Sequence, residues 1–157
     1  LEASGWKERA SESPIRKTAR IGATGAPACE VNHEQSHPPA NLKLEREQVR
    51  AINRGDVRAA LKMFDPGLIG FSSTRHERIR GLAALARTFH HYLKLAPRMT
   101  YAIAKAQVHA AGPVAIATFY WTVGVGKGRR VHGRGSHVFA RKGKSWRVIH
   151  EHFSRAH

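Results

Sequence analysis

The sequence predicts an α+β domain: helices at the N-terminal side packed on a cone-shaped, strongly curved antiparallel sheet, with a disordered tail in front. Two observations point there. Helical spacing of apolar residues is confined to the stretch before Pro97, and from Met99 onward β-rich runs alternate with turn residues. Helices first and a meandering sheet afterwards is the α+β order, and a twisted sheet covered by helices on one side leaves a hollow suited to a small molecule.

Residues 1–41 hold Pro14, Pro27, Pro38 and Pro39, scattered Ser and Thr, and no apolar periodicity. Such a segment cannot bury enough surface to offset its ordering entropy, so it reads as a tail, and residues 42–157 as the folded domain. In the first helix, Val49 and Ile52 share a face while Glu45, Arg46, Glu47 and Arg50 are expected to point elsewhere; Gly55 ends it. Asp56 is the natural N-cap of a short second helix carrying Val57, Ala60, Leu61 and Phe64 at i, i+3, i+4 and i+7, stopped by Asp65-Pro66-Gly67. Leu68, Ile69 and Phe71 suggest a strand. After Gly81, the residues Leu82, Leu85, Ala86, Phe89, Tyr92 and Leu93 repeat the helical spacing up to Pro97.

Four β runs follow, at 99–109, 114–124, 129–141 and 145–154, with Ala111-Gly112-Pro113, Gly124 to Gly128 and Lys142-Gly143-Lys144 as their turns. Strict alternation along the last run places Trp146, Val148, His150 and His152 on one face and Arg147, Ile149, Glu151 and Phe153 on the other. Gly133-Arg134-Gly135 within a strand suggests a bulge or bend.

The net charge of +16 is carried by the folded part, because the tail's basic residues are balanced by Glu2, Glu8, Glu12, Glu30 and Glu34. Such a domain is drawn to polyanions at low salt, whether or not nucleic acid is its partner. Arg46, Arg50, Arg54, Arg58 and Lys62 recur every four residues, but Gly55 and Asp56 interrupt the ridge and no nucleic-acid motif accompanies it. Gly124-Val125-Gly126-Lys127-Gly128 joins two strands and lacks the helix that a phosphate cradle uses. No secretory h-region and no apolar run long enough to span a membrane is visible, and Cys29 stands alone, so a cytoplasmic protein without an internal disulfide is expected. Cys29, His33 and His37 have a metal-like spacing inside the Pro-rich tail, and His150 and His152 lack further ligands; no metal or other cofactor is expected.

Ala51-Ile52-Asn53-Arg54-Gly55-Asp56, Lys62-Met63-Phe64-Asp65-Pro66-Gly67, and Val138-Phe139 followed by Trp146 and Ile149-His150-Glu151-His152-Phe153-Ser154 form a pattern spanning about residues 44 to 154. It resembles the SnoaL-like, nuclear transport factor 2-like superfamily, and within it the calcium/calmodulin-dependent protein kinase II association domain and its stand-alone bacterial relatives. The resemblance implies the cone fold, self-association through the outer face of the sheet, here expected as a homodimer, a deep inner pocket, and no single reaction. Kinase association domains line that pocket with arginines, whose places are taken here by Tyr120, His137 and Phe153, so the kinase-type anion pocket does not carry over. Ketosteroid isomerase, of the same superfamily, works with pocket aspartates, whereas Asp56 and Asp65 here read as cap and turn residues.

The expected pocket set is therefore Tyr120, His137, Glu151 and Phe153, with an unidentified small-molecule ligand. Phenol, imidazole and carboxylate together can donate, accept and orient protons, the requirement of isomerase or cyclase chemistry on an oxygenated substrate: His137 or Glu151 as base, Tyr120 as donor to the developing oxyanion. The leading expectation is a small-molecule-binding, self-associating domain without turnover or with weak turnover; the isomerase or cyclase and a basic polyanion or nucleic-acid binder are its alternatives.

Overall fold

The computed structural model describes residues 40–126 and 128–156. Helix α1 runs Ala40–Asn53, α2 Val57–Ala60 with a 3-10 turn at Leu61–Met63, and α3 Gly81–Leu95; the strands are β1 Phe64–Phe71, β2 Ile79–Arg80, β3 Thr100–Ala111, β4 Val114–Val125, β5 Arg129–Lys142 and β6 Ser145–Arg155. No helix among the described residues is long and apolar enough to cross a membrane. The segment 1–39, with the Cys29, His33 and His37 spacing, lies outside the described residues. Helix α1 starts two residues inside the expected tail, and Asn41 is already buried.

The strands form one six-stranded sheet in the order β2-β1-β6-β5-β4-β3. It is mixed rather than wholly antiparallel. The chain leaves β1 for β2 and α3, meanders through β3 to β6, and returns with β6 parallel to β1. The α+β class and the four long strands agree with the sequence reading; β2, two residues long, gave no periodic signal.

Asp56 caps α2 as expected, its carboxylate accepting from the Ala59 N–H at 2.9 Å. The second helix stops earlier than its apolar spacing suggests: Phe64 is extended and opens β1. Pro66 disfavours helical geometry at Asp65, and Asp65 Oδ1 instead accepts from the Gly67 N–H in a tight turn.

The sheet's register shifts at three places, one of them in β1 between Phe64 and Ile69 opposite β6. Ala104 pairs with Tyr120 and Gln107 with Thr118, so Lys105 and Ala106 face one residue, Phe119, and Lys105 takes φ of 50°. In β6, His150 pairs with Val138 and Val148 with Phe139, leaving Ile149 as the extra residue. That bulge overturns the strict alternation expected for β6. Trp146 and Val148 face inward together with Glu151 and Phe153, while His150 and His152 point to the outer face.

Gly133 and Gly135, expected to mark a bulge, sit in unbroken register with β4. Their missing side chains are what matters. A Cβ on Gly135 would meet the Phe119 ring at 2.5 Å, and one on Gly133 would clash with the Trp121 ring and the Ser154 carbonyl. The glycines let two large aromatics lie flat on the inner face.

One core cluster gathers Phe64, Leu68, Leu85, Phe139 and Val148 beneath α3; a second gathers Tyr101, Phe119 and Trp121 beneath Val49 and Ile52 of α1. The two α1 residues thus do face the core, as read. Asn53 ties the end of α1 to β3, donating to the Tyr101 carbonyl at 2.8 Å and accepting from the Tyr101 N–H at 2.7 Å.

Gly133→Ala should destabilise the domain by roughly 3 kcal/mol or more, since the clash with a backbone carbonyl cannot be relieved by a side-chain rotation. Urea titration checks this; a loss under 1 kcal/mol by the same overpacking scale would contradict the packing described.

Candidate functional site

A cavity of about 500 Å³ lies between the inner face of the sheet and helices α1 and α3. Its walls are Ile52, Leu85, Phe89, Met99, Trp121 and Phe153 among others, with Gln48, Thr88, Tyr101 and Glu151 as its buried polar lining. Size and composition suit an organic molecule with a ring-sized apolar body. Each buried polar group is delivered by a different element. Gln48 comes from α1, Thr88 from α3, Tyr101 from the start of β3 where Asn53 holds its backbone, and Glu151 from β6 beyond the bulge.

Glu151 stands over Gly70, its register partner in β1. A Cβ there would meet Glu151 Cγ at 2.5 Å, so Gly70 supplies the room for the carboxylate. Behind Glu151, and outside the cavity lining, lies His137, fully buried on β5. Its Nδ1 is 2.7 Å from Oε1 of Glu45, itself 0 % exposed on α1, and its Nε2 is 3.6 Å from Oε2 of Glu151. The first contact is a short charge-assisted hydrogen bond; the second is an ion-pair distance, long for a hydrogen bond.

Burial by itself pushes the His137 imidazole down, but Glu45 and Glu151 on either side outweigh it and raise the pKa from 6.5 to about 9. The ring is therefore an imidazolium at neutral pH, with Nδ1–H donating to Glu45. Four phenyl rings surround it, Phe119 at 5.2 Å, Phe64 and Phe153 at 5.6 Å and Phe139 at 6.2 Å between centroids. Tyr101 is held well above the usual phenol value, first by burial and then by the Glu45 and Glu151 charges. It stays a neutral O–H donor across the physiological range.

The structure thus joins three of the four expected site residues. His137, Glu151 and Phe153 are together; Tyr120 is not. Tyr120 pairs with Arg134 whereas His137 pairs with Ala117, which sets them on opposite faces of the sheet. Tyr120 is 55 % exposed on the outer face, beneath the Lys105 ammonium at 5.7 Å from its ring centroid. The phenol inside is Tyr101.

Tyr101, Glu45 and Gly70 were missed in sequence. Glu45 belongs to an inward stripe with Asn41, Gln48 and Ile52 at helical spacing, a signal hidden because three of its four residues are polar.

The SnoaL-like domain model matches residues 44–157. The chain belongs to the SnoaL-like family. Its fold recurs in a nuclear transport factor 2-like protein of unknown function from Pseudomonas putida KT2440, with 23 % identity, 73 % of this chain and 82 % of that one covered, and a TM-score of 0.68. A Xanthomonas campestris protein named for the calcium/calmodulin-dependent protein kinase II association domain matches with 16 % identity over 74 % of this chain and 85 % of that one, TM-score 0.66. A Parabacteroides distasonis ATCC 8503 protein named for ketosteroid isomerase matches with 21 % identity over 74 % and 85 %, TM-score 0.61. At such identities the likeness establishes the nuclear transport factor 2-like fold of this SnoaL-like domain. No curated protein matches the chain significantly.

The His137 charge carries a pH signature. A pKa raised from 6.5 to about 9 on folding contributes stability that is fully present below pH 6.5 and is lost as pH rises through 9. Between those limits the unfolding free energy from urea titration should fall by an amount on the order of 3 kcal/mol, and Glu45→Gln should flatten the slope. A flat wild-type profile would mean that the imidazole is neutral in the folded domain.

Proposed function

We propose that this SnoaL-like domain binds a small organic molecule in its inner cavity and self-associates through the outer face of the sheet. The observation that carries the binding reading is the junction of two environments in one hollow. Aromatic and aliphatic walls take the body of a ligand, and at the buried end Glu151 accepts a hydrogen bond while Tyr101 donates one. Burying a carboxylate beside an apolar wall is costly unless it is compensated, and His137 compensates it. Self-association is supported by Val114, Ile116 and Tyr120, large side chains left 37 %, 43 % and 55 % exposed, all on the outer face of β4.

A second reading is favoured by the presence of both Glu151 and Tyr101 in the cavity lining. Together they offer isomerase chemistry: Glu151 takes a proton from the carbon beside a ligand carbonyl, the C–H electrons form the enolate, and the Tyr101 hydroxyl hydrogen-bonds the oxygen as charge develops. Return of that proton to another carbon completes an isomerisation with no net change in redox state. In this arrangement His137 does not touch the ligand; it positions Glu151, and Glu45 positions His137. The role first read onto Tyr120 passes to Tyr101.

Native mass spectrometry of the purified protein should show an even-numbered assembly carrying a discrete organic adduct, and Ile116→Asp should reduce it to monomers that keep the adduct. An adduct-free protein that also fails to take up phenylnaphthylamine would overturn the binding reading, and an unchanged assembly in Ile116→Asp would overturn the outer-face association.

For proton transfer, β-tetralone in heavy water should exchange its α-protons in the presence of the protein. Glu151→Gln should slow that exchange by roughly a hundredfold while leaving uptake of phenylnaphthylamine intact. Equal rates with and without protein would leave binding as the domain's function.

A further inference from the structure

The cavity is electrically polarised along its length. Glu151 is the single carboxylate in its lining and is buried, whereas the cationic side chains of the lining, Arg75, Arg129 and Arg155, belong to exposed residues at its rim. Arg129 and Arg155 stand on the inner face, in register with Val125 and Gly133, and Arg75 reaches the rim from the loop between β1 and β2. Among the described residues none of the three has a carboxylate within ion-pair distance. Three guanidiniums distributed around one opening without an internal counter-ion favour an oxyanion at the mouth, because each presents a planar fork of donors matched to carboxylate, sulfonate or phosphate.

The same face also fixes the spacing. Arg155 and Glu151 are separated by four residues of regular strand, about 13 Å of rise. An apolar body of two or three rings fills that span. Reversed, the anionic end would meet Glu151 in a poorly solvated pocket, so the charge pattern permits one orientation only.

We infer that the ligand is an amphipathic organic anion: its oxyanion is held by Arg129, Arg155 and Arg75 at the mouth, its ring body lies against Trp121 and Phe153, and its neutral polar end meets Glu151 and Tyr101. This rests on the cavity-binding reading above and adds the ligand's chemical class and direction of entry.

Two fluorescent probes with closely similar ring bodies separate the claims: anilinonaphthalene sulfonate, an anion, and phenylnaphthylamine, which is neutral. Both should bind wild-type protein and quench Trp121, with the sulfonate roughly tenfold tighter. The double variant Arg129→Gln/Arg155→Gln should erase that advantage and leave phenylnaphthylamine binding unchanged. Arg130→Gln, one residue along the strand but on the outer face, should alter neither. Equal affinity of the two probes for wild type, or a loss in Arg130→Gln matching the double variant, would overturn the inference while leaving the cavity reading standing. Failure of both probes to bind would remove the cavity reading and this inference with it.

Discussion

Three ionisable groups buried in a row, Glu45, His137 and Glu151, set the terms for the rest of this domain. A buried ion pair contributes little net stability over a hydrophobic replacement, yet removing one partner leaves an uncompensated charge and is strongly destabilising. The arrangement therefore acts as a constraint on geometry. Glu45 must come from α1, His137 from β5 and Glu151 from β6, and the 2.7 Å contact across the helix–sheet interface can form in one helix register only. Of the three, only Glu151 faces the cavity. Glu151 is thus the cavity-facing end of a buried relay anchored in α1.

The space around that relay is made by absence as much as by packing. Gly70 leaves room for Glu151, and Gly133 and Gly135 leave room for Trp121 and Phe119. Each glycine is opposite a side chain that lines or backs the site. The bulge at Ile149 completes the arrangement, because without it Val148 and Glu151 would lie on opposite faces of β6. One extra residue puts an apolar anchor in the core and a carboxylate in the cavity on the same strand.

This also explains what was legible in the sequence. Helix α3 and strands β3 to β6 could be read to within one or two residues, because their apolar periodicity and their Gly-rich turns report local physics. His137 and Phe153 were placed in the pocket by the family resemblance, and Glu151 joined Phe153 through strand alternation that happens to be regular over residues 151–155. Tyr120 was misplaced because nothing local tells which parity of β4 faces inward, and Trp146 and Val148 because a bulge leaves no residue signature at Ile149. Glu45 was hidden for a deeper reason: hydrophobic periodicity assigns charged residues to solvent, and here the charged residue is buried because its partner lies 92 positions away.

The distribution of acid in the sheet ties fold to function. Glu151 is the only acidic residue in strands β3 to β6, in a chain whose net charge is +16. It is turned inward, so the outer face of these strands presents Lys105, Arg130, Arg134 and Arg147 with no carboxylate of its own. Any second copy docking there must bring its apolar side chains together against like-charge repulsion, which salt screens. Inside, the same economy works in the opposite sense. A lone carboxylate, held in place by His137 and opposed by arginines at the rim, gives a largely apolar hollow an electrostatic direction.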